Sequence, residues 1–185
     1  MAENSIAGNT PVRPFRAVPP RQISGQRMQA LIRSAAFGDM VTILMRAPKH
    51  KALSLDALRV FVLPALLHDQ YMIARARRQQ NGGTFAAGLA MWASVSDAID
   101  KRLRANPQQP LRLTYEEWKS GPHLWLVDLV APAALAGSIL HDLDAKVGKG
   151  QPITAQIAVP GGGGATLTTV KDLMAGLKKE PAATG

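Results

Sequence analysis

From Ser24 onward the chain alternates two periodicities: apolar residues at three- and four-residue spacing, and short alternating or continuous β-prone runs. Neither an all-helical bundle nor an all-β sandwich accommodates that alternation, so the fold class is α/β (α+β). A helical stretch passes through Met28, Leu31, Ile32 and Ala35, and after Gly38 a second apolar stretch, residues 40–45, leads to Arg46 and Pro48. Ser54 reads as the N-cap of a helix with the stripe Leu55, Leu58, Val62 and Leu66, which Pro64 should bend or end. Two β-like runs, residues 70–76 and 84–92, flank the turn-forming Gln79, Gln80, Asn81, Gly82 and Gly83 and predict a hairpin. Ser94 or Ser96 caps a following helix in which Asp97 with Lys101, and Asp100 with Arg104, stand four apart as structural ion pairs. Residues 123–131 form the most strand-like run, and Pro132 suits the first turn of a helix carrying Leu135, Ile139 and Leu143. Residues 153–159 predict another strand, after which Gly161 to Gly164 read as a flexible connector into a final short helix.

At 185 residues, one domain with an apolar core is expected without disulfides or metal staples. With no cysteine, the chain excludes a thiol nucleophile, thiolate zinc and Fe–S ligation. The first 33 residues carry five arginines against one glutamate, nearly half of the net charge of +9, together with Pro11, Pro14, Pro19 and Pro20. Residues 1–24 therefore read as a disordered arm, 25–178 as the folded domain and 179–185 as a flexible tail. The surplus cations imply an acidic partner, whether nucleic acid, an anionic membrane or an acidic protein. No aromatic stacking series accompanies the arginines, so the arm reads as a solubilising tail rather than a nucleic-acid arm. No stretch approaches the roughly 20 apolar residues that span a bilayer, so no membrane insertion is expected and the location expected is cytoplasmic.

Of the four histidines, no two stand at the i,i+4 spacing of a helical zinc pair, and no metal is expected. His50 lies among Arg46, Lys49 and Lys51, as a neutral proton acceptor or as an ordinary loop histidine. In the run from Leu124 to Val130, alternation puts Asp128 on the face of Leu124, Leu126 and Val130. A carboxylate there needs a partner: it is either the cleft partner of a histidine or a satisfied structural acid on an edge strand. The acyltransferase pattern His-x4-Asp fails because position 55 is Leu55, and Gln79-Gln80-Asn81-Gly82 lacks the glycine spacing of a pyrophosphate turn.

Several blocks together resemble one family in order. Pro48-x-His50 precedes a helix ending Val62-Leu63-Pro64-Ala65, then Gln70-Tyr71; Trp92-Ala93-Ser94 follows; and Glu117-Trp118-x-Ser120-Gly121 leads to Trp125-x-x-Asp128-x-x-Ala131-Pro132. Over residues 38–175 the chain resembles the bacterial RTX protoxin-activating lysine acyltransferases. The resemblance implies a single GNAT-like domain with a mixed, mostly antiparallel sheet flanked by helices, and a homodimer. It further implies transfer of a fatty acyl chain from acyl carrier protein to internal lysines of a protoxin, with acyl-phosphopantetheine as co-substrate and no bound cofactor.

On that resemblance His50 and Asp128 are the catalytic pair, acting by direct transfer or through an acyl-histidine, and backbone amides around Gly121 are the oxyanion candidate. Lys49, Lys51, Arg75, Arg77 and Arg78 are candidates for docking the acidic carrier or its phosphate, with a solvated hairpin rim as the other reading of Arg77 and Arg78. The alternative function is a catalytically inert basic module that binds an RTX partner or nucleic acid on the same fold.

Overall fold

A computed structural model describes residues 24–78, 82–159 and 164–177. The arm expected over residues 1–24 lies outside them except for Ser24, as do Gln79 to Asn81, Gly161 to Gly163 and the expected tail.

Among the described residues the order is α1 (Gly25–Arg46), α2 (Leu55–Phe61), α3 (Leu63–Leu67), β1 (Tyr71–Arg77), β2 (Thr84–Val95), α4 (Asp97–Ala105), β3 (His123–Val130), α5 (Ala133–Leu143), β4 (Ile153–Ala158), β5 (Ala165–Thr169) and α6 (Val170–Leu177). The strands form one sheet in the order β1-β2-β3-β4-β5, antiparallel except for the β3/β4 pair. The mixed, mostly antiparallel α+β architecture is the one expected.

The two stretches on either side of Gly38 are one helix. A single glycine in a helix interior costs only about 1 kcal/mol relative to alanine. Met40, Ile43 and Leu44, all buried, anchor the turns that follow. Ser24 caps the helix by accepting from the Arg27 N–H, and Ser54 caps α2 by accepting from the Ala57 N–H at 3.1 Å. Pro64 separates α2 from α3, as expected. Ser96 is the N-cap residue of α4 but makes no side-chain cap bond. Pro132 stands at the N-cap of α5, one position before the first turn. The glycines after β4 lead not into the last helix but into β5, a five-residue strand pairing with β4.

Two apolar layers enclose the sheet. On one side α1 to α3 pack with Leu89, Met91, Trp118 and Trp125; on the other α5 and α6 pack with Ala90, Leu126, Ile153 and Ala155. Asp100 of α4 ties the layers to the sheet. It accepts from the Trp125 indole N–H (2.8 Å) and from Arg104 (2.8 Å), and Arg104 donates on to Thr154 Oγ1 of β4 (2.9 Å). The charge pairs of α4 are thus structural, although Asp97 pairs with His123 rather than with Lys101.

Candidate active site

The site grows out of the end of α1. Ala47 precedes a proline, a position that disfavours helical backbone. It adopts φ −82°, ψ 122°, and the chain leaves the helix for a single 3-10 turn, Pro48–His50. This turn sends Lys49 and His50 toward β3. The His50 ring packs against Phe61 of α2, with centroids 5.7 Å apart, and its Nε2 lies 2.7 Å from Asp128 Oδ2.

Asp128 reaches His50 because β3 is irregular. Met91 pairs with Asp128 but Trp92 pairs with Leu126, leaving Val127 as an extra residue. Such a bulge resets the alternation of faces. Leu124 and Leu126 pack in the α5 layer, whereas Val130 packs in the α1 layer. Asp128 therefore shares the face of Val130 alone, not that of Leu124 and Leu126, and it meets the turn that follows α1.

The carboxylate is fully engaged. Oδ2 faces His50 Nε2, while Oδ1 accepts from the Lys49 ammonium (2.5 Å) and from the Leu129 N–H (3.0 Å). Side-chain exposure is 5% for Asp128, 10% for His50 and 62% for Lys49, so an aqueous cation covers a buried pair. A carboxylate only accepts, so the ring nitrogen facing it carries the proton; in the neutral imidazole Nδ1 then keeps its lone pair, the form a proton acceptor requires.

Beyond Leu126 and Ala155 the parallel strands β3 and β4 no longer pair. A cavity of about 780 Å³ occupies the gap, lined by Leu129, Ala136, Leu140, Ile157 and Leu173 and reaching Lys49 and Asp128. The arrangement sets an imidazole behind a carboxylate that, with Lys49, lines one end of an open, largely apolar cavity.

The other candidates are placed differently. The Gly121 N–H donates to the Ser94 carbonyl (3.1 Å), and a Cβ there would lie 2.5 Å from Ser96 Cα. This glycine is thus required by a close backbone crossing, and its amide is committed to the fold. Nearby, Glu117 receives both Arg102 nitrogens (2.8 and 3.0 Å) and the Thr114 N–H (2.9 Å), and the Arg102 bonds hold its carboxyl below the usual range against the effect of burial. Lys49 caps Asp128. Arg75 pairs with Asp39 of α1. Arg77 bonds the Gly82 carbonyl (3.3 Å), and Arg78 lies over the Phe85 ring at 5.6 Å. Of the five cations expected to dock a carrier, Lys51, Arg77 and Arg78 keep exposed side chains with no carboxylate partner among the described residues. No helix among the described residues is long and apolar enough to cross a membrane.

The family model for the RTX toxin acyltransferase family matches residues 29–169. The RTX-III toxin-activating lysine-acyltransferase ApxIIC of Actinobacillus pleuropneumoniae is 27% identical over 96 residues, 52% of this chain and 50% of that protein. The leukotoxin-activating lysine-acyltransferase LktC (serotype A11) of Mannheimia haemolytica is 30% identical over 96 residues, 52% of each. An uncharacterized Synechocystis protein is 31% identical over 83 residues, 45% of this chain and 52% of its own. The chain thus spans about half the length of the curated relatives it matches.

Proposed function

The chain belongs to the RTX toxin acyltransferase family, and from that premise we propose that it transfers a fatty acyl chain from acyl carrier protein to internal lysine ε-amines of an RTX protoxin. The observation that carries this reading is that Asp128, which holds the His50 ring at 2.7 Å, also lines one end of the apolar cavity between β3 and β4. An inert binding module has no use for a buried imidazole held by a carboxylate that itself lines such a cavity.

A lysine amine titrates near about 10.4 and is mostly protonated at neutral pH. Only its neutral form has the lone pair to attack the thioester carbon, and a base takes the proton the nitrogen sheds as the C–N bond forms. His50 Nδ1 is that base. Asp128, holding Nε2, fixes the tautomer and steadies the imidazolium formed in transit. The acyl chain and the end of the phosphopantetheine arm occupy the cavity, so that apolar walls enclose the chain while the thioester lies beside the pair. Lys51, Arg77 and Arg78 supply cations for the acidic carrier or its phosphate.

Reconstitution tests the reading. Purified protein, acyl-acyl carrier protein and the protoxin should yield free carrier thiol and an acyl mass increment on protoxin lysines in equal amounts. Thiol release with no increment on the protoxin would make the protein a thioesterase instead, and release of neither would remove the proposal.

A further inference from the structure

When an amine adds to a thioester, the carbonyl oxygen becomes an oxyanion and needs a donor aimed at it. The Gly121 amide, the candidate read from the sequence, is bonded to Ser94. His50 Nε2 is held by Asp128. Among the described residues that line the cavity, Lys49 is the one Lys or Arg.

Its ammonium is placed to move. The side chain is 62% exposed while Asp128, its partner, and His50 are buried. Asp128 Oδ1 accepts from the Leu129 N–H as well, so this oxygen keeps a donor when Lys49 leaves it. Being adjacent to His50 on one short turn, Lys49 shifts its Nζ without leaving the site.

Resting on the acyl-transfer reading above, we propose that Lys49 is a further catalytic residue, whose ammonium passes from Asp128 to the thioester oxygen and stabilises the oxyanion. The acceptor amine forms the new C–N bond as the carbonyl π pair moves to oxygen, and His50 Nδ1 takes the proton the nitrogen loses. The oxyanion then re-forms the carbonyl, the C–S bond breaks, and the departing phosphopantetheine thiolate takes that proton from His50. Lys49 remains protonated throughout and returns to Asp128.

The test measures transfer of a radiolabelled acyl chain from acyl-acyl carrier protein to the protoxin by Lys49→Met and Lys49→Arg, each in the wild-type and the Asp128→Asn background. Loss of one oxyanion donor predicts that Lys49→Met lowers kcat about 10²- to 10³-fold with KM for the carrier changed by less than about threefold. Lys49→Arg keeps a cation and should stay within about tenfold of wild type. In the Asp128→Asn background Lys49→Met should still lower kcat by at least about tenfold, because the two residues act on different atoms. A wild-type kcat in Lys49→Met, an effect on KM alone, or no further loss in the Asp128→Asn background would each overturn the proposal. The last two would make Lys49 a docking cation or a positioning residue for Asp128. Absence of transfer by the unaltered protein would instead contradict the acyltransferase reading on which the proposal stands.

Discussion

At the scale of single residues, the proposed function divides the site into groups that do chemistry and groups that hold the backbone. His50→Ala removes the base and should lower acyl transfer by about 10²- to 10⁴-fold, measured by protoxin mass gain, with the melting temperature little changed. Gly121→Ala should behave in the opposite way. Its Cβ would press on backbone atoms of Val95 and Ser96 that cannot swing aside. The overpacking costs about 1–3 kcal/mol, lowering the melting temperature by several degrees while kcat of the folded fraction is kept. The sequence named His50, Asp128 and Gly121 together, through one motif resemblance. It could not show that the Gly121 amide serves the fold, because whether an amide is free or already bonded to Ser94 depends on a contact across the chain. Lys49 was legible only as a surface cation, since nothing in a linear run of basic residues marks the one that turns back onto a carboxylate 79 positions away.

At the scale of elements, caps and breakers were readable and interruptions of regularity were not. Ser54, Pro64 and the hairpin turn signals are local chemistry. By contrast, α1 continues through Gly38 because tertiary burial on its later turns outweighs one weak residue, and the bulge at Val127 arises from pairing with β2. Nothing lies within 4 Å of a Cβ built on Gly38. Gly38→Ala should therefore stabilise the protein by about 0.5–1 kcal/mol, read as a rise in the urea midpoint. β5 escaped notice because five residues behind four glycines carry too short a pattern to register.

The joint between α4 and the sheet gives an acid limb to stability. Burial alone would raise the Asp100 carboxyl, but the bonds from Arg104 and Trp125 outweigh it and hold the group below its usual range. A carboxyl depressed in the folded state contributes stability above its unfolded value near about 3.9 and loses it as pH falls through the lower folded value. Glu117 acts in the same direction. The urea midpoint should fall steeply from about pH 4 downward, and Asp100→Asn should be less stable at neutral pH with a shallower acid limb.

At the scale of the whole molecule, the sheet's single parallel pair is also where it opens. β3 and β4 pair over three residues and then separate, with helices α5 and α6 walling the gap. On the proposed function, the depth of that gap sets which acyl chains fit. Ala136→Phe adds a ring to its wall, so transfer of long chains should fall relative to short ones in a competition between carriers of different chain length; an unchanged ratio would place the chain elsewhere. The absence of cysteine, evident in the sequence, takes on meaning here. On the proposed function, thioester chemistry on this chain has no enzyme thiol to use, and the proton is left to an imidazole and a carboxylate. The most direct measurement is intact-mass analysis of the protoxin after co-expression with the wild-type chain or with His50→Ala. The account predicts acyl increments on internal lysines with the wild type and almost none with the variant. Equal increments from both, or none from the wild type, would contradict it.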